Sequence, residues 1–245
     1  MEVRTGLSSY TRMYGSKGAA AAYRWQVRAA QWQYKIILLD ALTKMTEQAV
    51  SVTFPESIAT QRIELRHYAD TDAVAIAELL GSNRQHLLRN FPELSKGLAT
   101  PDEIKLFIED CADQCNDRKT HTYGIWTKTP RQLIGQLKVK NILWNVPSAE
   151  LSYFVGQSFL RRGYAREAVA IVMQVAFREL SFNRVYVRII PSNIASLQLA
   201  QKLGMKHEGL HRNEFRCGLG ELHDVNYYSL THDDYLTSAL AALSP

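Results

Sequence analysis

The stretch from His121 to Val155 constrains the fold most. It holds three strand-like segments, 121–128, 133–142 and 149–155, parted only by Thr129-Pro130-Arg131 and by Asn145-Val146-Pro147-Ser148. Connections of hairpin length join neighbours of opposite direction, so the three segments form an antiparallel meander on which the rest of the chain must pack. Upstream, Ile63 and Leu65 alternate with Arg62, Glu64 and Arg66, which predicts a first strand over 62–68. Asp70 reads as the N-cap of a helix with Val74, Ile76, Ala77 and Leu80 on its apolar face and Gly81 as its stop. A second helical stretch, 84–90, breaks at Phe91-Pro92. Thr100-Pro101-Asp102-Glu103 then predicts a capped helix to about Asp117, with proline in the first turn and acids at the positive end of the dipole.

Downstream, a helix of about five turns follows Gly163, with Ala168, Val169, Val172, Val175, Ala176 and Leu180 on its buried side. A short strand over 184–190 comes next. Ser192 or Asn193 caps a helix to Leu203, and Gly204 stands at its C-terminal stop. Two last strands, 205–217 and 221–230, meet around Gly218-Leu219-Gly220. This order, with no internal repeat, predicts one mixed α/β layer domain.

Composition narrows the class. The 245 residues are 46% hydrophobic and 22% charged with 13 Gly and 7 Pro, which is neither a disordered nor a fibrous chain. Three cysteines cannot build a disulfide framework and point to a reducing, cytoplasmic home. Cys111 and Cys115 share a face of a predicted helix and read as buried reduced thiols; a metal site there would need two further ligands. His207 and His211 have metal-ligand spacing but fall in a predicted strand, so no metal is expected. The apolar run Ile36-Ile37-Leu38-Leu39 ends at Asp40, too short for a membrane span or a signal-peptide core. The net charge of +5 lies wholly in residues 1–44, where seven basic side chains face Glu2 and Asp40, and the remainder is balanced. A balanced body has no field to steer a polyanion, so no direct nucleic-acid contact is expected of it. The leader, 1–44, has three readings: an extension with no fold of its own, a transit segment, or a membrane-surface helix over 23–42 carrying Trp25 and Trp32. Residues 45–57 read as linker, 58–237 as the working domain and 238–245 as a tail.

Chemistry concentrates in Phe159-Leu160-Arg161-Arg162-Gly163-Tyr164-Ala165-Arg166-Glu167-Ala168, between a strand and the long helix. Gly163 and Ala165 let backbone approach a ligand. The free N–H groups of the first helical turn would hold a pyrophosphate, with Arg161, Arg162 or Arg166 adding charge. A tight turn alone would also explain Gly-x-Ala. Neither Gly-x-x-x-x-Gly-Lys-[Ser/Thr] nor Gly-x-Gly-x-x-Gly is present. Taken with Glu150-Leu-Ser-Tyr-Phe-Val, Asn183-Arg184-Val185, Asn193-Ile-Ala-Ser196, Lys202-Leu-Gly-Met-Lys and Glu208-Gly209, this segment resembles the GNAT acetyltransferase superfamily, and within it the ribosomal-protein N-acetyltransferase (RimJ/RimL-like) branch. The resemblance covers roughly Ile58 to Tyr235, and the run from Ile58 to Arg66 is similar to that branch's first strand.

What the resemblance implies is a GNAT-like, mostly antiparallel central sheet flanked by helices on both faces, with acetyl-CoA as co-substrate and no metal. The pyrophosphate would lie on the run Arg161 to Ala165, and the pantetheine arm would pair along the strand ending at Phe154-Val155. Many members carry a Tyr seven residues after the position of Asn193 to protonate the CoA thiolate. Here that position is Ala200, and Ser196 is the nearest replacement unless it is simply a helix-terminus residue. An amine must lose a proton before attacking a thioester, and Glu150 is the first candidate base, against a reading as a solvated strand-end charge. A free backbone N–H near Phe154 or Val155 would meet the oxyanion. Asp224 and Tyr228, in the last strand, fall near the acceptor by the same resemblance, with structural roles equally open. The expected acceptor is a protein N-terminus, with small-molecule amines and a non-catalytic acyl-CoA-binding module as rivals. The assembly is left open, a homodimer included.

Overall fold

Burial of Ile63 and Leu65 beneath half-buried Glu64 and Arg66 makes the first of the expected strands, as the period-2 pattern requires. In the computed structural model, residues 53–96, 98 and 100–242 are described, together with Trp32, Gln33 and residues 35–37. The elements are β1 (Ser57–Ala59), β2 (Ile63–His67), α1 (Ala73–Leu87), α2 (Pro92–Lys96), α3 (Pro101–Asn116), β3 (His121–Lys128), β4 (Arg131–Leu143) and β5 (Ser148–Val155). There follow α4 (Tyr164–Gln174, prolonged by a π turn over Val175–Glu179), β6 (Arg184–Ile189), α5 (Ile194–Lys202), β7 (Lys206–Arg216), β8 (Leu222–Thr231), α6 (His232–Thr237) and α7 (Ala239–Ala242).

The eight strands form one sheet in the order β1-β2-β3-β4-β5-β6-β8-β7. Every neighbouring pair is antiparallel except β5 and β6. Alternation sends side chains to two cores. Ile63, Leu65, Tyr123 and Ile125 join Ala168, Val169 and Val172 of α4 on one face. Trp126, Leu133 and Phe154 meet Ile76, Leu80 of α1 and Ile104, Ile108 of α3 on the other. The fold is therefore the expected single α/β domain with a mostly antiparallel sheet between helices. No helix among the described residues is long and apolar enough to cross a membrane.

The reciprocal cap works as read: Thr100 Oγ1 accepts the Glu103 N–H at 3.3 Å while the Glu103 carboxylate accepts the Thr100 N–H at 2.8 Å. Four readings change. Gly81 stops nothing; α1 runs through it and absorbs the segment 84–90, because Leu79, Leu80 and Leu87 stay buried along one stripe while Val74 and Ala77 face solvent. The helix starts after Asp72, not Asp70. The run from Ile58 to Arg66 is two strands, since Thr60 and Ile63 bond to each other in a turn, the Thr60 N–H on Ile63 O at 2.9 Å and the Ile63 N–H on Thr60 Oγ1 at 3.1 Å. The core also reaches into both expected flanks: Phe54, read as linker, is 2% exposed against Phe182, and Leu240, read as tail, is 4% exposed. Of the leader, Trp32, Gln33 and residues 35–37 are helical, with Trp32, Ile36 and Ile37 exposed. The rest of that expected helix lies outside the described residues.

A partly buried ion pair seats α1. Arg66 donates to both oxygens of Asp72 at 2.7 Å, Asp72 accepts the Ala69 N–H at 2.8 Å, and the guanidinium stacks on Trp126 at 4.3 Å. Burial pushes the Asp72 carboxyl up, but Arg66 and the Ala69 N–H outweigh it and hold it below the ordinary range. A lowered folded-state value means the carboxylate's contribution is present above the unfolded value of about 3.9 and is lost as pH falls through the lower folded value. Asp72→Asn should therefore cost about 1–3 kcal/mol at pH 7 in chemical denaturation, and its deficit against the parent should shrink below pH ~4.

Candidate active site

Strands β5 and β6 run side by side for three residue pairs, Ser148 with Arg184, Ala149 with Val185 and Glu150 with Tyr186, and then part. Beyond Glu150 the two strands bound a wedge. The Gly156 N–H donates to Ile134 O at 2.7 Å, which makes the Gly135–Val155 pair a non-hydrogen-bonded one. By alternation the backbone groups of Val155 and Tyr153 turn away from β4 toward the wedge, whereas those of Phe154 are spent on β4. Of the two residues expected to carry the pantetheine arm, Val155 turns its backbone groups to the wedge and Phe154 does not, and Tyr153 shares the orientation of Val155.

Glu150 closes the narrow end. It is 3% exposed, and its carboxylate accepts from Asn141 Nδ2 at 2.7 Å, from Lys140 Nζ at 3.2 Å and from Arg188 Nε at 3.1 Å. It is therefore no solvated strand-end charge. Asn141 reaches it because β4 bulges there, with Asn141 left-handed at φ 52°. Arg188 also donates to Glu214 at 3.1 Å, and Glu214 in turn holds His211 Nδ1 at 3.0 Å and the Tyr227 hydroxyl. This chain of charges from β5 through β6 to β7 carries no motif; only the sheet order brings Glu150 and Glu214 to one cation. Asp224 accepts the Asn213 N–H at 2.9 Å and Tyr228 is buried beside His207, so both serve the hairpin.

Glu150, Ser152 and Phe154 lie on one face of β5 and Tyr153 on the other, as the pleat dictates. On the first face Phe91 packs against Phe154. There the β7–β8 hairpin tip docks on the end of α1, the Gly218 N–H on Leu88 O at 2.8 Å, so close that a Cβ on Gly218 would stand 2.5 Å from that oxygen. On the second face Asn193 caps α5 by accepting the Ser196 N–H at 3.2 Å and reaches Asn90 at 3.4 Å. Burial pushes the Tyr153 hydroxyl up to about 12, offset in part by the neighbouring Ser196 side chain. Glu150, Tyr153, Asn193 and Ser196 all line the same cavity of about 90 Å³.

At the open end of the wedge Arg161 and Gly163 are both left-handed, at φ 60° and 83°, and α4 begins at Tyr164. Alternating handedness turns successive N–H groups toward one side, and the first intrahelical bond is made only by the Glu167 N–H to Gly163 O. Arg161, Gly163, Tyr164, Ala165 and Arg166 form one wall of a cleft of about 640 Å³, with Val155 at its inner end and Gln198 and Lys202 of α5 opposite. Arg162 is not in that wall; its guanidinium lies over Phe159. A residue the sequence did not flag fixes the loop: Arg62 pairs with Glu167, donates to Arg162 O at 3.1 Å and covers the Tyr164 ring at 4.9 Å. From the other side, Asn83 of α1 accepts the Gln157 N–H at 2.8 Å.

A parted parallel pair whose open end leads to a ring of backbone N–H groups and cations suits a transferase that lays a CoA thioester along one strand and its pyrophosphate on a helix start. The chain belongs to the GNAT acetyltransferase domain family, whose model matches residues 62–206. It is an acetyl-CoA-dependent N-acyltransferase, with acetyl-CoA as co-substrate. It is 26% identical over 185 residues to the N-acetyltransferase p20 of Bacillus licheniformis, covering 74% of this chain and 98% of the relative. It is 21% identical to the [ribosomal protein uS5]-alanine N-acetyltransferase of Escherichia coli, over 73% of this chain and 92% of that one. A structure of RimL, a ribosomal L7/L12 alpha-N-protein acetyltransferase in complex with coenzyme A, superposes with a TM-score of 0.68 at 20% identity, covering 73% of this chain and 99% of that one, which establishes a shared fold.

Alanine at a φ near 83° costs about 1–2 kcal/mol in a loop that Arg62 already holds in this conformation. Gly163→Ala should therefore lower Tm by a few degrees and, where the loop shifts to relieve the strain, raise the acetyl-CoA Kd roughly tenfold in calorimetry.

Proposed function

We propose that the protein acetylates the α-amine at the N-terminus of another protein, with Glu150 receiving the amine's proton and Ser196 protonating the departing thiolate. The observation that carries the acceptor is charge balance around the inner cavity. Glu150 and Glu214 are matched by Lys140 and by Arg188, which the two carboxylates share. A polyamine brings several ammonium groups and calls for unmatched carboxylates, whereas a chain end brings one. The Escherichia coli relative, named for the alanine of a ribosomal protein, supports the same reading.

Each residue's task follows from its place. Arg188 bonds Glu150 and Glu214 at the same 3.1 Å, so it can keep Glu214 while Glu150 turns to an incoming ammonium. Glu150 then takes the proton directly or through water, on one face of β5. The Val155 N–H, aimed into the wedge, meets the thioester oxygen as it gains negative charge. On the opposite face the Ser196 hydroxyl gives its proton to the thiolate, backed by Tyr153, whose high value keeps it protonated at neutral pH. Arg161, Arg166 and the N–H groups of Tyr164 and Ala165 hold the pyrophosphate. Asn193, Phe154 and Arg162 serve the donor indirectly, through the cap on Ser196, the packing of β5 and the carbonyl that Arg62 grips. We place the protein in the cytoplasm, where acetyl-CoA meets new chain ends and the three free cysteines stay reduced.

Mass spectrometry of a panel of N-terminal peptides, the same peptides with blocked N-termini, and polyamines tests the acceptor. Free-amine peptides should be acetylated at the α-position; faster turnover of polyamines would overturn the assignment. Glu150→Gln should lower kcat by about 100-fold or more while the acetyl-CoA-induced rise in Tm persists. Ser196→Ala should lower kcat at unchanged KM.

A further inference from the structure

We propose that His67, Cys115 and His121 form a binding site for one zinc-class divalent cation, apart from the acyl-transfer wedge. His67 ends β2 and His121 begins β3. Since His67 pairs with Tyr123, His121 is its diagonal neighbour on the same face of the sheet. Cys115 arrives from the last turn of α3. The three ligand atoms lie within 4.8 Å of one another, Cys115 Sγ being 3.3 Å from His121 Nδ1 and 3.8 Å from His67 Nδ1. A tetrahedral ion with sulfur at about 2.3 Å and nitrogen at about 2.0–2.1 Å sets such S···N separations at roughly 3.6 Å, so the groups already stand near ligation distances. The pair Cys111–Cys115 lacked two further ligands in the sequence, and the fold supplies two to Cys115 from 48 residues upstream and 6 downstream. Cys111 is buried and takes no part.

The chemistry of the set is that of a borderline-soft cation. Burial lowers both imidazoles, and His121 falls to about 4 with help from His67 and Arg118, so both rings are neutral at pH 7, the form that coordinates. Binding forms one sulfur–metal bond and releases one proton, that of the Cys115 thiol, to solvent. The fourth position falls to water, and the negative charge of Glu56, which acts on both His67 and Cys115, favours a cation there. The positive charge of Arg118 opposes a cation there, but its guanidinium is drawn over Trp144 at 4.3 Å. An ion so placed would pin the end of α3 to two strands. The wedge strand β5 lies two strands beyond β3, so the ion has no part in acyl transfer.

The test uses the full chain, stripped with a chelator under reducing conditions and titrated with Co2+ and then Zn2+. The expected result is one equivalent bound, with a thiolate-to-cobalt charge-transfer band and visible bands of tetrahedral strength, displaced by Zn2+, and a rise in Tm of roughly 5 °C with excess Zn2+. Cys115→Ser should lose the band and the rise yet keep the acetyl-CoA-induced rise, which also shows that it folds. His67→Gln should weaken Co2+ binding, and Cys217→Ser should change neither readout. Absence of the band, its survival in Cys115→Ser, or its loss in Cys217→Ser, which would move the ion to the group Cys217, Glu221 and His223, overturns the proposal.

Discussion

The wedge at the centre of the sheet depends on the parting of β5 and β6 after three residue pairs. Parallel neighbours hold each other through backbone bonds, and where they separate those donors and acceptors must find another extended partner or water. The sheet can tolerate the split because each strand is secured on its outer side: β5 to β4 over most of its length, and β6 to β8 over six consecutive pairs. Glu150 sits where the parting begins. Its bonds to Lys140 and Arg188 join β4, β5 and β6 across the point of separation.

The two ends of the wedge are positioned by different parts of the chain. Asn83 and Arg62, from the first third of the domain, hold the turns that follow β5, and the hairpin tip at Gly218 rests on the end of α1. The cleft beside α4 and the inner cavity are thus tied to each other through α1. That helix is seated by the Arg66–Asp72 pair, neither member of which lines the inner cavity or the cleft.

Much of this was legible in the sequence because the signals are local. Hairpin-length connections set the meander, the Thr100–Glu103 cap set α3, and Gly163 with its flanking arginines marked the loop. What was not legible is long-range. Gly81 reads as a stop, and only the continued burial of Leu87 shows that the helix goes on. Thr60 breaks one apparent strand into two through bonds to its own neighbour three residues on. Arg62, Asn141, Arg188 and Glu214 have no motif around them; each gains its role from a strand register or bulge that places it opposite a residue far away in the chain. The same holds for His67 and His121, which lie in separate strands and become neighbours through the β2–β3 pairing.

The sheet's borders have a consequence for solubility. An eight-stranded open sheet ends in two rows of unpaired backbone groups, each a template onto which another chain could add. At one border the row is cut to the three residues of β1. At the other, β7 is long and exposed, but two register shifts break its line, Asn213 is left-handed, and Lys206, Glu208, Arg212 and Arg216 stud it with both signs of charge. Neither border offers a straight, apolar run, so the domain can keep a wide sheet without inviting fibrous growth from its rims.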